Sequence, residues 1–441
     1  MAGDATRAAV DSGSTVAFML RAFRYRNYRL FFSGQIVSVT GSWITTTATS
    51  WLVYRLTGSA LLLGVVGFAS QFPSFLLTPF AGIFVDRWNR HRLLVGTQTA
   101  SMVISFVLAG LTLSHTISIP WLVTVSVFQG IVNAFDMPGR QAFVVSLIED
   151  KRDLGNAIAL NSSMFNAGRL VGPSVAGVII AVSNEGWCYL FDGVSYLAVI
   201  AALLAMHVRP VARASTMREG PLAQFQEGWR YAYRSRPIRS VILLIAIVCM
   251  AGAPYSVLMP VVAAEILGGG AHTLGFLMTA AGAGALLGAL WLASRRTTTS
   301  LGNNIPVAGT IFSVALMAFA FSQVLWLSAL LMVLAGIGLM VQVASCNTLL
   351  QTIVEDSKRG RVMAFFLMAY FGTMPFGSLA AGAVSTRIGT PYTIALGGAL
   401  CLVGSAWFAT TLAELHRDIA SALSHANGVV PAPAVVGSAS V

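Results

Sequence analysis

Charge is what this sequence has least of. Only 10% of its 441 residues are Asp, Glu, Lys or Arg, against roughly 25% in ordinary soluble domains, while 56% are hydrophobic and mean hydropathy is +0.76. A water-exposed globule of this length would lack polar surface, so a soluble enzyme is excluded. Lysine is scarcer still. Lys151 and Lys358 are the only two, and neither stands in a Gly-x-x-x-x-Gly-Lys-Ser/Thr loop, so no nucleotide-driven pump is visible. Cys188, Cys249, Cys346 and Cys401 are scattered singly through apolar stretches, and the six histidines lack paired metal-ligand spacing. Neither a disulfide nor a metal site is expected. No nucleophile-base pair falls at membrane depth, so the chain is not expected to be an enzyme. The first 20 residues have no basic segment followed by an apolar core and a cleavage site, so no signal peptide is expected.

What is present is a series of apolar stretches. Breaking the chain at polar and Gly/Pro punctuation gives twelve segments near the ~20 residues that cross ~30 Å of hydrocarbon as helix. They fall at 29–54, 59–86, 93–114, 119–147, 154–182, 186–207, 239–264, 271–294, 303–323, 325–350, 361–386 and 390–412. The fold class is therefore all-α integral membrane. Orientation follows from the cations, which resist translocation. On one side lie the arginines of the N-terminal arm, the Arg87 to Arg92 loop, Lys151 and Arg152. The same side takes the arginines of the central loop, Arg295, Arg296, Lys358, Arg359, Arg361 and Arg417. The opposite side holds only Arg55 and Arg387, so both termini are expected in the cytoplasm. The basic balance is thus a topology signal and not a nucleic-acid footprint.

The longest hydrophilic stretch, 208–238, separates two six-helix halves, 29–207 and 239–412. They are flanked by a cytoplasmic arm, 1–28, and a cytoplasmic tail, 413–441, expected to be disordered. Residues 224–233 of the central loop are expected to form a short surface helix. Internal similarity supports the division. Gly130-Ile131 recurs as Gly336-Ile337 at an offset of 206, and Gly172 and Gly177 recur as Gly377 and Gly382 at 205. Two repeated halves are how many secondary transporters build a site that opens alternately to each side.

Polar side chains within spans mark protein-facing surfaces. Spacings of three and four align Gln35, Ser38, Ser42, Thr45 and Thr49 in span 1, and Gln71, Ser74 and Thr78 in span 2. Span 4 carries Gln129, Asn133, Asp136 and Arg140; span 5 carries Ser162, Asn166 and Arg169. In the second half, Gln342, Ser345, Asn347 and Gln351 line span 10, but spans 7 and 11 are almost wholly apolar. A central cavity with one polar wall and one greasy wall suits an amphipathic solute. Hydroxyls also serve as plain interhelical hydrogen bonds. Arg169 lies about 22 Å along span 5 at 1.5 Å per residue, near mid-bilayer, and needs a partner or water. Asp136 is the nearest acid in depth, although Arg140 one turn away competes for it. Asp192 and Glu265 fall near outer span ends, where solvated or capping positions, and not proton carriers, are expected.

The loop Gly82-Ile-Phe-Val-Asp86-Arg87-Trp-Asn89-Arg90-His91-Arg92 resembles the Gly-x-x-x-Asp-Arg-x-Gly-Arg-Arg/Lys signature of the major facilitator superfamily. Asn89 replaces its glycine, a change a left-handed turn tolerates, and His91 replaces a cation. The resemblance implies that Asp86 engages the start of span 11 and locks one state, with Arg87 and Arg90 completing the network. Gly168-Arg169-Leu-Val-Gly172-Pro173-Ser-Val-Ala176-Gly177 is similar to a pattern that recurs in the superfamily's exporters. Small residues there also permit close packing, and Pro173 disrupts one backbone bond. The blocks at Asn27 to Phe31, Trp51 to Ser59, Phe135 to Gln141 and Asn156 to Asn161 resemble the bacterial branch that includes the enterobactin exporter and transmembrane secretion effectors.

The resemblance implies a secondary transporter of the bacterial plasma membrane that exports an amphipathic, drug-like or siderophore-like small molecule by alternating access. A proton gradient in place of any cofactor, a monomeric state, and membrane lipids as the only other partners complete the expectation. Asn133, Asn166, Gln35 and Gln71 are expected along the proton or substrate path with Asp136, Arg140 and Arg169. Two rivals stay open: a lipid or lysophospholipid flippase, and a non-transporting membrane sensor or scaffold acting through the central loop.

Overall fold

The structure, a computed structural model, describes residues 20–206, 221–295 and 301–412. Within helices, the side chains at 79, 82, 83, 86, 87, 151, 221–226, 228, 301, 356 and 357 lie outside that description. Twelve long helical segments follow one another. In the first half they are α1 (Arg26–Thr57), α2 (Ala60–Arg87), α3 (Arg90–Leu113), α4 (Ile119–Ser146), α5 (Lys151–Val182) and α6 (Glu185–Leu204). In the second they are α7 (Arg236–Ile266), α8 (Ala271–Ala293), α9 (Leu301–Ala320), α10 (Leu325–Ile353), α11 (Asp356–Ile388) and α12 (Thr390–Ala409). The largest departure from the sequence expectation is five residues, at the start of α11. A separate helix, Pro221–Arg234, precedes α7 in the expected place. The N-terminal residues 1–19 and the tail 413–441 lie outside the described residues.

Eleven of the twelve are long and apolar enough to cross a membrane. α1 is the exception, and its polar stripe is the reason. The turns between spans are short and capped. Gly58 takes the left-handed conformation (φ 58°) that closes α1, and Ser59 caps α2 by accepting from the Leu62 amide. Asp150 and Asn184 cap α5 and α6 in the same way. Asn89 corrects an expectation. It is extended (φ −69°), not left-handed, and its side chain accepts from the Arg92 amide as the cap of α3.

α7 is not a uniform α-helix. Residues Val248–Gly252 and Val262–Ile266 form π turns on either side of Tyr255–Val261. Pro254 and Pro260 supply no backbone donor, and the wider turns accommodate the gaps.

Helix contacts repeat between the halves. α1 packs on α5 and α6 as α7 packs on α11 and α12, and α2 packs on α4 as α8 packs on α10. The halves join chiefly through two pairs, α2 with α11 and α5 with α8. Near the N-terminus, the helical turn Arg21–Arg24 clasps the start of α5. Arg21 and Arg24 pair with Asp153 at 3.1 and 2.7 Å. The Ala22 amide donates to Asn156 Oδ1, and the Tyr28 hydroxyl donates to the Ala157 carbonyl. Two of the sequence blocks singled out above are thus one structural joint.

Candidate transport site between the two halves

Glycine decides how closely the halves approach. A Cβ on Gly275 of α8 would collide with the Pro173 carbonyl, and Gly177 of α5 faces Gly275 in turn. On the other seam, a Cβ on Gly64 would meet the Ser378 carbonyl at 2.6 Å, and Gly382 faces Gly64. Both contacts lie toward the ends that carry the turns at 58–59, 183–184 and 267–270. The exporter-like motif therefore has two faces. Gly168 and Gly172 admit Trp43 of α1 within the half, whereas Gly177 admits α8 across the interface. Pro173 leaves the Arg169 carbonyl without its helical donor, and that carbonyl faces Gly282 of α8.

Deeper in, the α2·α11 seam is aromatic. Phe376 meets Phe68, Phe72 and Phe75 edge-on at 5.8 to 6.3 Å. Beside the α5·α8 seam, Ser174 and Thr279 hydroxyls lie 2.5 Å apart. Arg169 sits here, half-buried, with its guanidinium 5.9 Å from the Trp43 ring. Its charge also acts on the Tyr255 hydroxyl of α7, in the other half. At the far edge the Tyr54 hydroxyl donates to Glu265 Oε1 at 2.8 Å, so Glu265 bridges the halves and is not merely solvated.

Asp136 does not partner Arg169. It is buried, pairs with Arg140 on its own helix, and accepts from Thr97 Oγ1 at 2.8 Å and Gln98 Nε2 at 2.7 Å, both on α3. The competing i,i+4 pair is the one formed. Arg140 also lies over the Phe165 ring of α5 at 5.4 Å. Asn133 is exposed on α4 and accepts from Gln129, while Asn166 and Gln71 donate to carbonyls one turn back on their own helices. Gln35 is 1% exposed, and neither its amide oxygen nor its nitrogen has a partner among the described residues.

The α1 stripe points away from the interface. Ser42, Thr45 and Thr49 meet Tyr196, Asp192 and Tyr189 of α6, inside the first half. Gln342 likewise turns to Ser405 of α12. The expected polar wall is therefore narrower than the stripes imply, and Arg169 with its two aromatic neighbours is its centre. Asp192 is the residue that sequence reasoning misplaces. It is buried between α1 and α3, and its signal is the three-and-four spacing of Tyr189, Asp192 and Tyr196.

Gly82, Asp86 and Arg87 end α2, and their side chains lie outside the described residues. Arg90 follows them and donates to the Ala142 carbonyl at 3.4 Å. His91 Nε2 is 2.8 Å from the Leu203 carbonyl, a role that needs no cation. The Pro221–Arg234 helix docks on the start of α11. Glu227 pairs with Arg361, and Trp229 meets Phe365 edge-on at 5.8 Å.

Two equivalent helical halves meeting along paired glycine seams are the architecture of a secondary transporter with the major facilitator fold. Solved structures share the fold. A bacterial homolog of the human lysosomal transporter Spinster, in an inward-facing and unoccupied conformation, matches with a TM-score of 0.66 at 16% identity, covering 91% of this chain and 98% of that one. A point mutant of the nucleoside transporter NupG gives 0.66 at 12% identity, covering 89% and 99%. The chain belongs to the transmembrane secretion effector family, whose model matches residues 17–435. Among curated relatives, the staphyloferrin A transporter of Staphylococcus aureus (strain NCTC 8325 / PS 47) is 28% identical over 80% of this chain and 87% of its own length. The multidrug efflux pump Tap of Mycolicibacterium fortuitum is 27% identical over 86% and 94%. Macrolide efflux protein A of Streptococcus pyogenes is 23% identical over 86% and 95%. The protein is a multi-pass membrane transporter of small molecules and not an enzyme.

Proposed function

We propose that this transporter exports an amphipathic small molecule across the bacterial plasma membrane by alternating access, driven by proton entry. One observation carries the reading: Arg169, on the seam between the halves, lies against Trp43 and reaches Tyr255 of the opposite half. A guanidinium beside aromatic faces suits a solute with a polar or anionic head on an apolar body. The relatives named for staphyloferrin A, multiple drugs and macrolides support small solutes of that kind. The Arg and Lys bias places both termini in the cytoplasm. The glycine seams then close the outer end, and the halves rock about them as rigid units. Asp86 latches the cytoplasmic end to the start of α11, where an acid is favoured at a helix N-terminus. Asp136 is the proton-responsive partner of Arg140. The working unit is the monomer.

The test compares spent medium and cell extract by untargeted mass spectrometry from cells carrying the intact gene, a deletion, or Asp86→Asn. A compound depleted outside and accumulated inside in both defective strains is the expected result. No difference in any compound, with the protein verified in the membrane, overturns the reading.

A lipid flippase is favoured by one feature. An apolar cavity of about 450 Å³ opens among α7, α11 and α12, lined by Met250, Gly377, Leu400 and Trp407. Protection of a fluorescent lysophospholipid from an external quencher, without any proton gradient, would select this reading instead.

A further inference from the structure

The first half contains an internal polar seam that neither the interface nor the Asp136 pair uses. At its centre is Asp192 of α6, 2% exposed. Its Oδ2 accepts from Thr45 Oγ1 of α1 at 2.9 Å and from Ser105 Oγ of α3 at 2.8 Å. Its Oδ1 is buried without a partner and faces Gly41 of α1, where a Cβ would come within 2.6 Å. Among the described residues, no cation lies within ion-pair distance of it.

The surroundings are hydroxyls on every side. From α1, Ser42 lies 3.3 Å from the Tyr196 hydroxyl, and Thr49 lies 3.1 Å from the Tyr189 hydroxyl. From α6 itself, Ser195 donates back to the Asp192 carbonyl. From α3, Ser101 accepts from Gln129 of α4 at 3.2 Å. The nearest charged groups lie at the two ends of this file. Outward, buried Glu185 is paired with Arg55 at 2.7 Å. Inward, Asp136 is paired with Arg140 and tied to α3.

Three physical points converge. A carboxylate buried without a counter-charge is costly, and two hydroxyl donors offset only part of that cost. Both other acids of the seam have arginine partners, so Asp192 alone lacks compensation. The absence of a side chain at Gly41 lets the α1 backbone close over Oδ1, the oxygen that lacks a partner, and keeps it from water. We infer that Asp192 is a proton-carrying site in its own right, set among hydroxyls of α1, α3 and α6 between the Glu185 end of the first half and Asp136. The inference rests on the reading of the protein as proton-coupled, but the protonation itself is readable without transport. The step is a proton transfer to and from the Asp192 carboxyl through the Thr45 and Ser105 hydroxyls at Oδ2, each of which gives up one proton as it takes another, with no other bond made or broken.

The experiment is infrared difference spectroscopy of the full-length protein in lipid vesicles, titrated from alkaline to acidic buffer, with no solute added. Wild type should show a protonated-carboxyl C=O band at neutral pH that disappears on alkalinisation. Asp192→Asn should lose that band, and Asp136→Asn should keep it. Ser105→Ala removes one hydrogen bond and should shift the band without abolishing it, which separates a direct assignment from misfolding. An unchanged band in Asp192→Asn overturns the inference, as does a band that moves to the Asp136 variant. Replacing sodium by potassium throughout should leave the titration unchanged; a sodium-dependent loss of the band would assign the site to a metal cation and also overturn it. Failure of export in cells, with the band intact, would count against the transport reading alone.

Discussion

Gly172 and Gly377, 205 residues apart, hold the same station in the two halves. Gly172 accepts the Trp43 side chain from α1, and Gly377 accepts the Met250 carbonyl from α7. The next glycine in each motif turns outward to the partner half, Gly177 to α8 and Gly382 to α2. Each motif thus binds its own bundle with one residue and the opposing bundle with another. A weak sequence repeat becomes a working symmetry.

That geometry makes the seam intolerant of added volume. Gly275→Val should destabilise the protein by ~1–3 kcal/mol, the usual range for overpacking. Gly110 of α3 has nothing within 4 Å of a built Cβ. Gly110→Ala should be neutral or stabilising by ~0.4–1 kcal/mol. Thermal unfolding of both variants in the same detergent checks the contrast, and equal melting points would refute it.

Asp136 and Arg140 form a buried pair held from α3. Removing one member leaves an uncompensated charge, so Asp136→Asn should cost ~3–5 kcal/mol. The double variant Asp136→Asn, Arg140→Gln should recover most of that loss. A double-mutant cycle by chemical denaturation in detergent measures the coupling. A coupling near zero would mean that Thr97 and Gln98 alone hold Asp136.

Arg169 is placed for binding more than for folding, since it is half-buried between aromatic groups of both halves. Arg169→Lys keeps the charge but loses the planar face, so export should fall about tenfold or more with little change in melting temperature. Efflux of a fluorescent amphipathic dye from everted vesicles, alongside thermal stability, provides the check. Parallel losses in both would make Arg169 a structural residue.

The clasp at the start of α5 has its own pH signature. Hydrogen bonds from the Arg152 side chain and backbone, with the Arg152 and Arg24 charges adding, hold the Asp150 carboxyl down at about 2. Its contribution is therefore fully present above the ~4 of an unfolded aspartate and lost as pH falls through about 2. Asp150→Asn keeps the cap and removes the charge. Hydrogen exchange at residues 150–157 should quicken across that acid window in wild type and vary little in the variant.

The spans and the repeat were legible because hydrocarbon imposes length and composition directly on sequence. The partner of each polar face was not. The stripe from Gln35 to Thr49 shows that α1 has a protein-facing side, but whether it meets the cavity or α6 depends on helix rotation. The antiparallel register of Thr49 with Tyr189, Thr45 with Asp192 and Ser42 with Tyr196 settles it, and only the two stripes read together contain that information. The π turns of α7 were hidden for a similar reason. Pro254 and Pro260 announce a disturbance in that span without specifying its form.

α1 alone among the twelve falls short of the hydropathy of a free-standing span, because the hydroxyls that meet α6 are part of its sequence. It is also the first to leave the ribosome, while α6 is the last of its half. The earliest of these twelve to enter the bilayer is thus the least able to remain there unaided. Its residence is secured only when Tyr189, Asp192 and Tyr196 emerge 140 to 154 residues later. Assembly of the first half is therefore retroactive, with the final helix fixing the initial one in place.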